Sequence, residues 1–154
     1  MQIILEKYKC YIRQENIETD VGGNIEEIAG PSHYIIEGKV GVLGCDQHDV
    51  SVKALIDTGT DITIVNPEIV RMLEQKMGKH LPLKRSYCFN ESVAPAYALA
   101  FKLGDQLCFN SEMGFIAPQS YIFDIADIYI GQDIFGQYII TLDGIDGTIT
   151  IAKP

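Results

Sequence analysis

The chain has 154 residues, of which 47% are hydrophobic and 21% charged, enough for one domain with a core of its own and not comfortably for two. Its net charge of −9 opposes any nucleic-acid partner. No apolar run reaches the roughly 18 residues that a membrane-spanning helix needs, so no membrane partner is expected.

Residues 1–30 form an extension of unclear role ahead of a domain at 31–154. Ile3, Ile4 and Leu5 suit a strand. Glu6 and Lys7 then break the apolar stretch, and no small-residue cleavage site follows. A secretory signal is therefore not expected, and a cytoplasmic location is. Residues 15–32 are acidic and broken by Gly22-Gly23 and Gly30-Pro31, which suits a linker or loop. From His33 the pattern turns β-rich. Segments 33–43 and 48–56 alternate, with Val50, Val52, Ala54 and Ile56 on one face, and the turn residues 44–49 make them a hairpin.

A β-branched run at 61–65 leads to a well-marked helix. Asn66 is a good N-cap, Pro67 fits the first helical position, Glu68 suits the positive end and Gly78 the C-cap. Ile69, Val70, Leu73 and Met77 form its apolar side. Strands are expected at 83–89 and 96–103, separated by 90–95, and Leu103–Gln106 forms a tight turn into 107–118. The last third gives a short strand at 127–131, a short helix at 131–138 and a closing hairpin of 138–142 with 148–152. Many short strands with one or two short helices indicate a mainly β domain, closed or sandwich-like.

Cys10, Cys45, Cys88 and Cys108 share no C-x-x-C spacing, and no histidine completes a zinc pattern. They are expected to be reduced thiols, mostly structural, with no metal and no cofactor.

The chemistry-bearing segment is Ala54-Leu55-Ile56-Asp57-Thr58-Gly59-Thr60-Asp61. An apolar strand delivers one carboxylate into a turn, and burying a lone carboxylate is costly without a partner or a task. Gly59 lets the backbone turn and another group approach closely. This segment, together with Tyr129-Ile130-Gly131 and the following Gln132-Asp133-Ile134, resembles the active-site elements of the retropepsins, the single-domain aspartic proteases. The resemblance covers about residues 34–152.

That resemblance implies a closed acid-protease barrel with one lobe per chain. Asp57, Thr58 and Gly59 are then the catalytic residues, and Gly59, Asp61, Tyr129 and Ile130 the substrate-binding ones. Thr58 would hydrogen-bond across a dimer axis, and Gly131 would let the chain pass close beside the active-site loop. A mobile hairpin, the flap, is expected near Phe89 to Pro95. Viral members often carry Arg after the apolar-apolar-Gly element. This chain has Gln132, which leaves an uncharged brace toward Asp61.

One Asp-Thr-Gly loop supplies one carboxylate, so the second must come from another copy. A C2 homodimer follows, with a peptide or protein as substrate. The last strand, 148–152, is a candidate for pairing between copies, with the N-terminal strand joining it or being removed by self-processing. Two other readings share the residues. One is a catalytically silent, protease-like scaffold dimer. The other is the phosphate-binding hairpin of actin-like and sugar-kinase proteins, which Ile56–Ile64 also matches, although such proteins need two domains around the nucleotide.

Overall fold

The alternation predicted for residues 33–56 is the axis of the fold. In the computed structural model, which describes residues 3–9, 11–45, 47–104 and 107–154, the chain runs through β1 (Ile3–Lys9), β2 (Tyr11–Val21), β3 (Asn24–Val42) and β4 (Val50–Ile56). There follow β5 (Ile64–Val65), α1 (Pro67–Met77), β6 (Leu83–Phe89), β7 (Ser92–Tyr97), β8 (Leu99–Leu103), β9 (Leu107–Asn110) and β10 (Phe115–Ile116). The last elements are β11 (Ile128–Ile130), α2 (Gln132–Phe135), β12 (Ile139–Asp143) and β13 (Thr148–Lys153). Cys10, Asp46 of the 44–49 turn, and Asp105 and Gln106 of the second tight turn lie outside the described residues.

The main sheet has the order β6-β7-β10-β5-β11-β4-β3-β8-β9, with β2 added on β3. The protein is thus mainly β, with a curled, half-barrel sheet. The expected closure of that sheet is not among its pairings: the path ends at β6 on one side and β9 on the other. Strands β3 and β4 pair antiparallel, and Val50, Val52, Ala54 and Ile56 are all buried as their period-two spacing requires. The main core joins them to Phe101, Phe109, Phe115, Ile128, Ile130, Ile149 and Ile151. Each fully buried side chain of that size contributes about 1.5–3 kcal/mol through removal from water.

Helix α1 begins and ends as its sequence dictates. The Asn66 side chain accepts from the Glu68 N–H, Pro67 occupies the first turn, and Gly78 closes the helix in the left-handed region at φ 68°. Ile69, Val70 and Leu73 face the core.

Residues 15–32 differ from the expected linker. Val21 pairs with Asn24 around Gly22 and Gly23, both at positive φ, so the glycine pair is the turn of a long β2–β3 hairpin. No strict apolar alternation marks these strands, since Ile25 and Ile28 are three apart and fall on opposite faces, and both are exposed, as is Val21. Proline is tolerated here because the β2–β3 register shifts between Gln14 and Asn16, opposite residues 29–32.

The N-terminal strand does join the last one. β1 pairs with β13, and β13 also pairs with β12, giving the sheet β1-β13-β12. Both edges of β13 are therefore taken within the chain, so the last strand offers no free edge to a second copy. Any added strand would have to use β1 or β12.

The β6–β7 hairpin turns on Asn90 (φ 46°) and Glu91 (φ 64°), between the paired Phe89 and Ser92. Two positive φ values make this the mirror-image turn that matches strand twist, and glutamate is poorly suited to it. Glu91→Gly is expected to raise stability by about 0.5–1 kcal/mol, read as a higher urea midpoint at unchanged slope. A lower midpoint would contradict the strained turn.

Candidate active site

Asp57 directly follows β4, beside one of the two parallel pairings among the described strands, β11 with β4; the other is β10 with β5. β11 pairs parallel with β4 and antiparallel with β5, so it lies between the strands that enter and leave the 57–63 loop. The loop is then sewn to the chain that follows β11. The Asp57 N–H donates to Ile130 O at 3.0 Å, Gln132 N–H to Thr60 O at 2.8 Å, and Asp133 N–H to Asp61 O at 3.1 Å.

Gly131 makes this approach possible. A Cβ there would stand 2.5 Å from Thr60 O and 3.1 Å from the Ile62 carbonyl carbon. The sequence expectation for Gly131 is met.

The Asp57 carboxyl group is fixed from below. Oδ1 accepts from Gly59 N–H at 3.1 Å, and Oδ2 accepts from the Thr60 hydroxyl at 2.7 Å. Asp57 itself is half-buried, and among the described residues no lysine or arginine forms an ion pair with it. Thr58, Gly59 and Asp61 are exposed around it. A carboxyl group so held and only half-buried keeps contact with solvent.

The Gln132 side chain does not brace Asp61. Its amide donates to Thr58 O at 2.8 Å, holding the loop at the residue next to Asp57. Tyr129 is 7% exposed and sits in a satellite apolar cluster beside the loop, with Leu55 and Ile64. Ile130 is fully buried in the main core. With no exposed surface, Ile130 supports the loop by packing and presents nothing to a ligand in this conformation.

Three contributors were not read from sequence. Thr60 holds Asp57, as above. Thr63 is completely buried; its hydroxyl accepts from Gly131 N–H at 3.1 Å and donates to Asp133 Oδ1 at 2.7 Å. The only signal for it was a hydroxyl in an otherwise apolar β run. Among the described residues Asp133 Oδ2 is buried without a partner, so its carboxyl group depends on Thr63. Thr63→Val is expected to cost about 2–3 kcal/mol in chemical unfolding, because it strands one donor and one acceptor at once. Thr63→Ser should recover most of that. Equal stability of the valine variant would remove Thr63 from this role.

Tyr121 is the third. Its ring packs against Tyr129 (centroids 5.4 Å apart), Phe123 (5.2 Å) and Phe89 (5.7 Å). Burial, and then the negative charge of Asp57, push the Tyr121 phenol above its ordinary value of 10.0. Tyr97 is raised likewise by burial and by Glu74. The unfolded chain loses these protons near pH 10 and the folded chain later, so above pH 10 the unfolded state binds fewer protons. Stability therefore falls as pH rises through that region. Replacing both tyrosines with phenylalanine should flatten the decline in thermal midpoint. A decline of unchanged steepness would contradict this.

Among the described residues no group of three or more His, Cys, Asp or Glu is placed to hold a metal ion. No helix among them is long and apolar enough to cross a membrane. No protein-family model matches the chain, and no curated protein matches it. Among solved structures, a retropepsin-like aspartic protease from Rickettsia conorii aligns at 19% identity with a TM-score of 0.47, over 97% of this chain and 100% of that one.

Proposed function

We propose that this chain is one half of an aspartic endopeptidase, a lobe of acid-protease type whose C2 homodimer brings two Asp57 carboxyl groups together to hydrolyse peptide bonds. The observation that carries the reading is the Asp57 loop itself. One carboxyl group is aimed by Gly59 and Thr60 and clamped from behind by residues 130–133. A phosphate-binding hairpin would place β4 and β5 side by side, whereas β11 separates them here.

In the dimer, like charges so close cannot both ionise easily, so the two groups share a proton. The ionised member takes a proton from a water molecule held between them. The water oxygen adds to the scissile carbonyl, which the protonated member polarises. Collapse breaks the C–N bond, and the amine leaves with a proton. The exposed Thr58 would bond across the axis. Gly59, Asp61 and Tyr129 would meet the substrate, with the β6–β7 hairpin as flap. No metal or cofactor takes part in these steps.

The test is incubation of the purified protein with a mixed peptide library between about pH 4 and 7, with mass spectrometry of the products. Sedimentation is run at the same concentrations. Cleavage by a dimeric species is the expected result. A strictly monomeric protein that still cuts, or a dimer that binds peptides without cutting, would overturn the mechanism; the latter favours the scaffold reading.

A further inference from the structure

The Asp57 loop is flanked by an aromatic cluster that includes Tyr121 and Phe123, which the mechanism above does not use. Tyr121, on the connection between β10 and β11, is its hub, touching Phe89, Phe123 and Tyr129 with rings 5.2–5.7 Å apart. Tyr129 in turn is paired with Leu55 of β4 and Ile64 of β5, the strands on either side of Asp57. Phe89 comes from elsewhere. It is the last residue of β6, directly before the Asn90-Glu91 turn, and it packs in two satellite clusters at once: that of Tyr129, and that of Ala94, Ala96 and Ile116. Most other residues of β6 are exposed. The hairpin tip is thus held toward the Asp57 loop by Phe89 together with Tyr87, which packs in the second cluster beside Ile62, and both Phe89 and Tyr121 remain only half-buried.

We propose that the Tyr121 ring is the seat for one large apolar side chain of the bound peptide, and that in the empty site Phe89 of the hairpin takes that seat. This rests on the hydrolytic reading above. The geometry on which it stands is an edge-on contact, with planes 65° apart, between a hairpin tip and a ring on a neighbouring connection. Edge-to-face pairs are a favoured arrangement for any incoming aromatic side chain, so a substrate ring replaces Phe89 by like-for-like exchange. The hairpin is released as the peptide enters, at little net cost. Burial, and after it the negative charge of Asp57, raises the Tyr121 phenol. Tyr121 is a specificity-determining residue here, and Phe89 an internal competitor.

Two measurements decide it. For peptides found to be cut, paired versions carry Phe or Ala beside the scissile bond. Tyr121→Ala should raise KM for the Phe version about tenfold with kcat within about twofold, erasing its preference over the Ala version. Tyr121→Phe should keep the preference, and Tyr121→Leu, which preserves apolar volume, guards against a folding defect. An unchanged Phe-to-Ala ratio in Tyr121→Ala and Tyr121→Leu would overturn the proposal.

The second measurement does not need turnover. The chain contains no tryptophan, so Phe89→Trp introduces a single reporter. In a Phe89→Trp, Asp57→Asn protein, adding the Phe peptide should shift emission to the red as the indole leaves Tyr121, and the Ala peptide should do so only at much higher concentration. Equal response to both peptides, or none, would refute the exchange. If the unmodified protein cuts nothing, the hydrolytic reading fails, and the titration is run instead with Phe and Ala versions of library peptides retained by the immobilised Asp57→Asn protein, which still decides the seat.

Discussion

Asp57→Asn is expected to lower peptide hydrolysis by about a thousandfold or more, roughly 4 kcal/mol of transition-state stabilisation, while leaving the fold intact. The two effects separate because of what holds the side chain. An asparagine is the same size, its carbonyl oxygen still accepts the Gly59 N–H, and the Thr60 hydroxyl can turn to accept from the new amide. What disappears is the carboxyl group that the proposed mechanism uses to take a proton from water and return it. The measurement is kcat/KM beside a thermal midpoint. Cutting at an undiminished rate, with the midpoint unchanged, would remove Asp57 from the reaction.

The same variant tests whether the work is shared between copies. If both carboxyl groups of a pair are required, mixing equal amounts of unmodified and Asp57→Asn chains leaves about a quarter of randomly assembled dimers competent. Activity then falls to about half that of the unmodified portion alone. Independent monomers would show no fall at all.

Gly131→Ala is expected to be the most damaging single-methyl change near the site. Its Cβ would stand 2.5 Å from Thr60 O and within 3.2 Å of Ile62 backbone atoms, and none of these is the movable end of a side chain. Thr60 O is itself fixed by Gln132 N–H. Either β11 moves away from the loop or the loop moves with Asp57 on it. The expected cost is about 2–4 kcal/mol in unfolding free energy. Catalysis should suffer further, by about a hundredfold, because a displacement near 1 Å is enough to misplace a reacting group. Gly78→Ala is a useful control. It has open space and only an unfavourable φ of 68°, so a loss of about 1 kcal/mol without a specific effect on turnover is expected there. Equal effects of the two changes would show that the contact with Thr60 is relaxed and unimportant.

What the sequence revealed, and what it hid, divides by distance along the chain. Helix α1 was legible end to end because Asn66, Pro67 and Gly78 act on their own neighbours. The β3–β4 and β12–β13 hairpins were legible for the same reason, as was the loop carrying Asp57. The 15–32 hairpin is not legible because its few apolar residues, Ile25 and Ile28 among them, do not fall at period two. Thr63 and Asp133 are far apart in sequence, and nothing near either residue announces the other. Gln132 was assigned Asp61 by analogy, yet the folded chain brings its amide to the Thr58 carbonyl. The seat around Tyr121 joins β6, β11 and an irregular connection, which no periodic pattern could bring together. For Ile130 the apolar identity was visible, but which side of β11 it faces was decided by Val65, Ile128 and Ile134 packing in the same core.

The pairing of Ile3 with Lys153 has a kinetic consequence. During synthesis the ribosome releases β1 long before β13 exists, so the first strand must wait, unpaired and apolar at Ile3, Ile4 and Leu5, until nearly all of the described chain has emerged. Contacts that distant in sequence carry a large loop-closure cost and slow folding. Pairing of β1 is thus possible only after β13 has been made, later in synthesis than any pairing among β2 to β12.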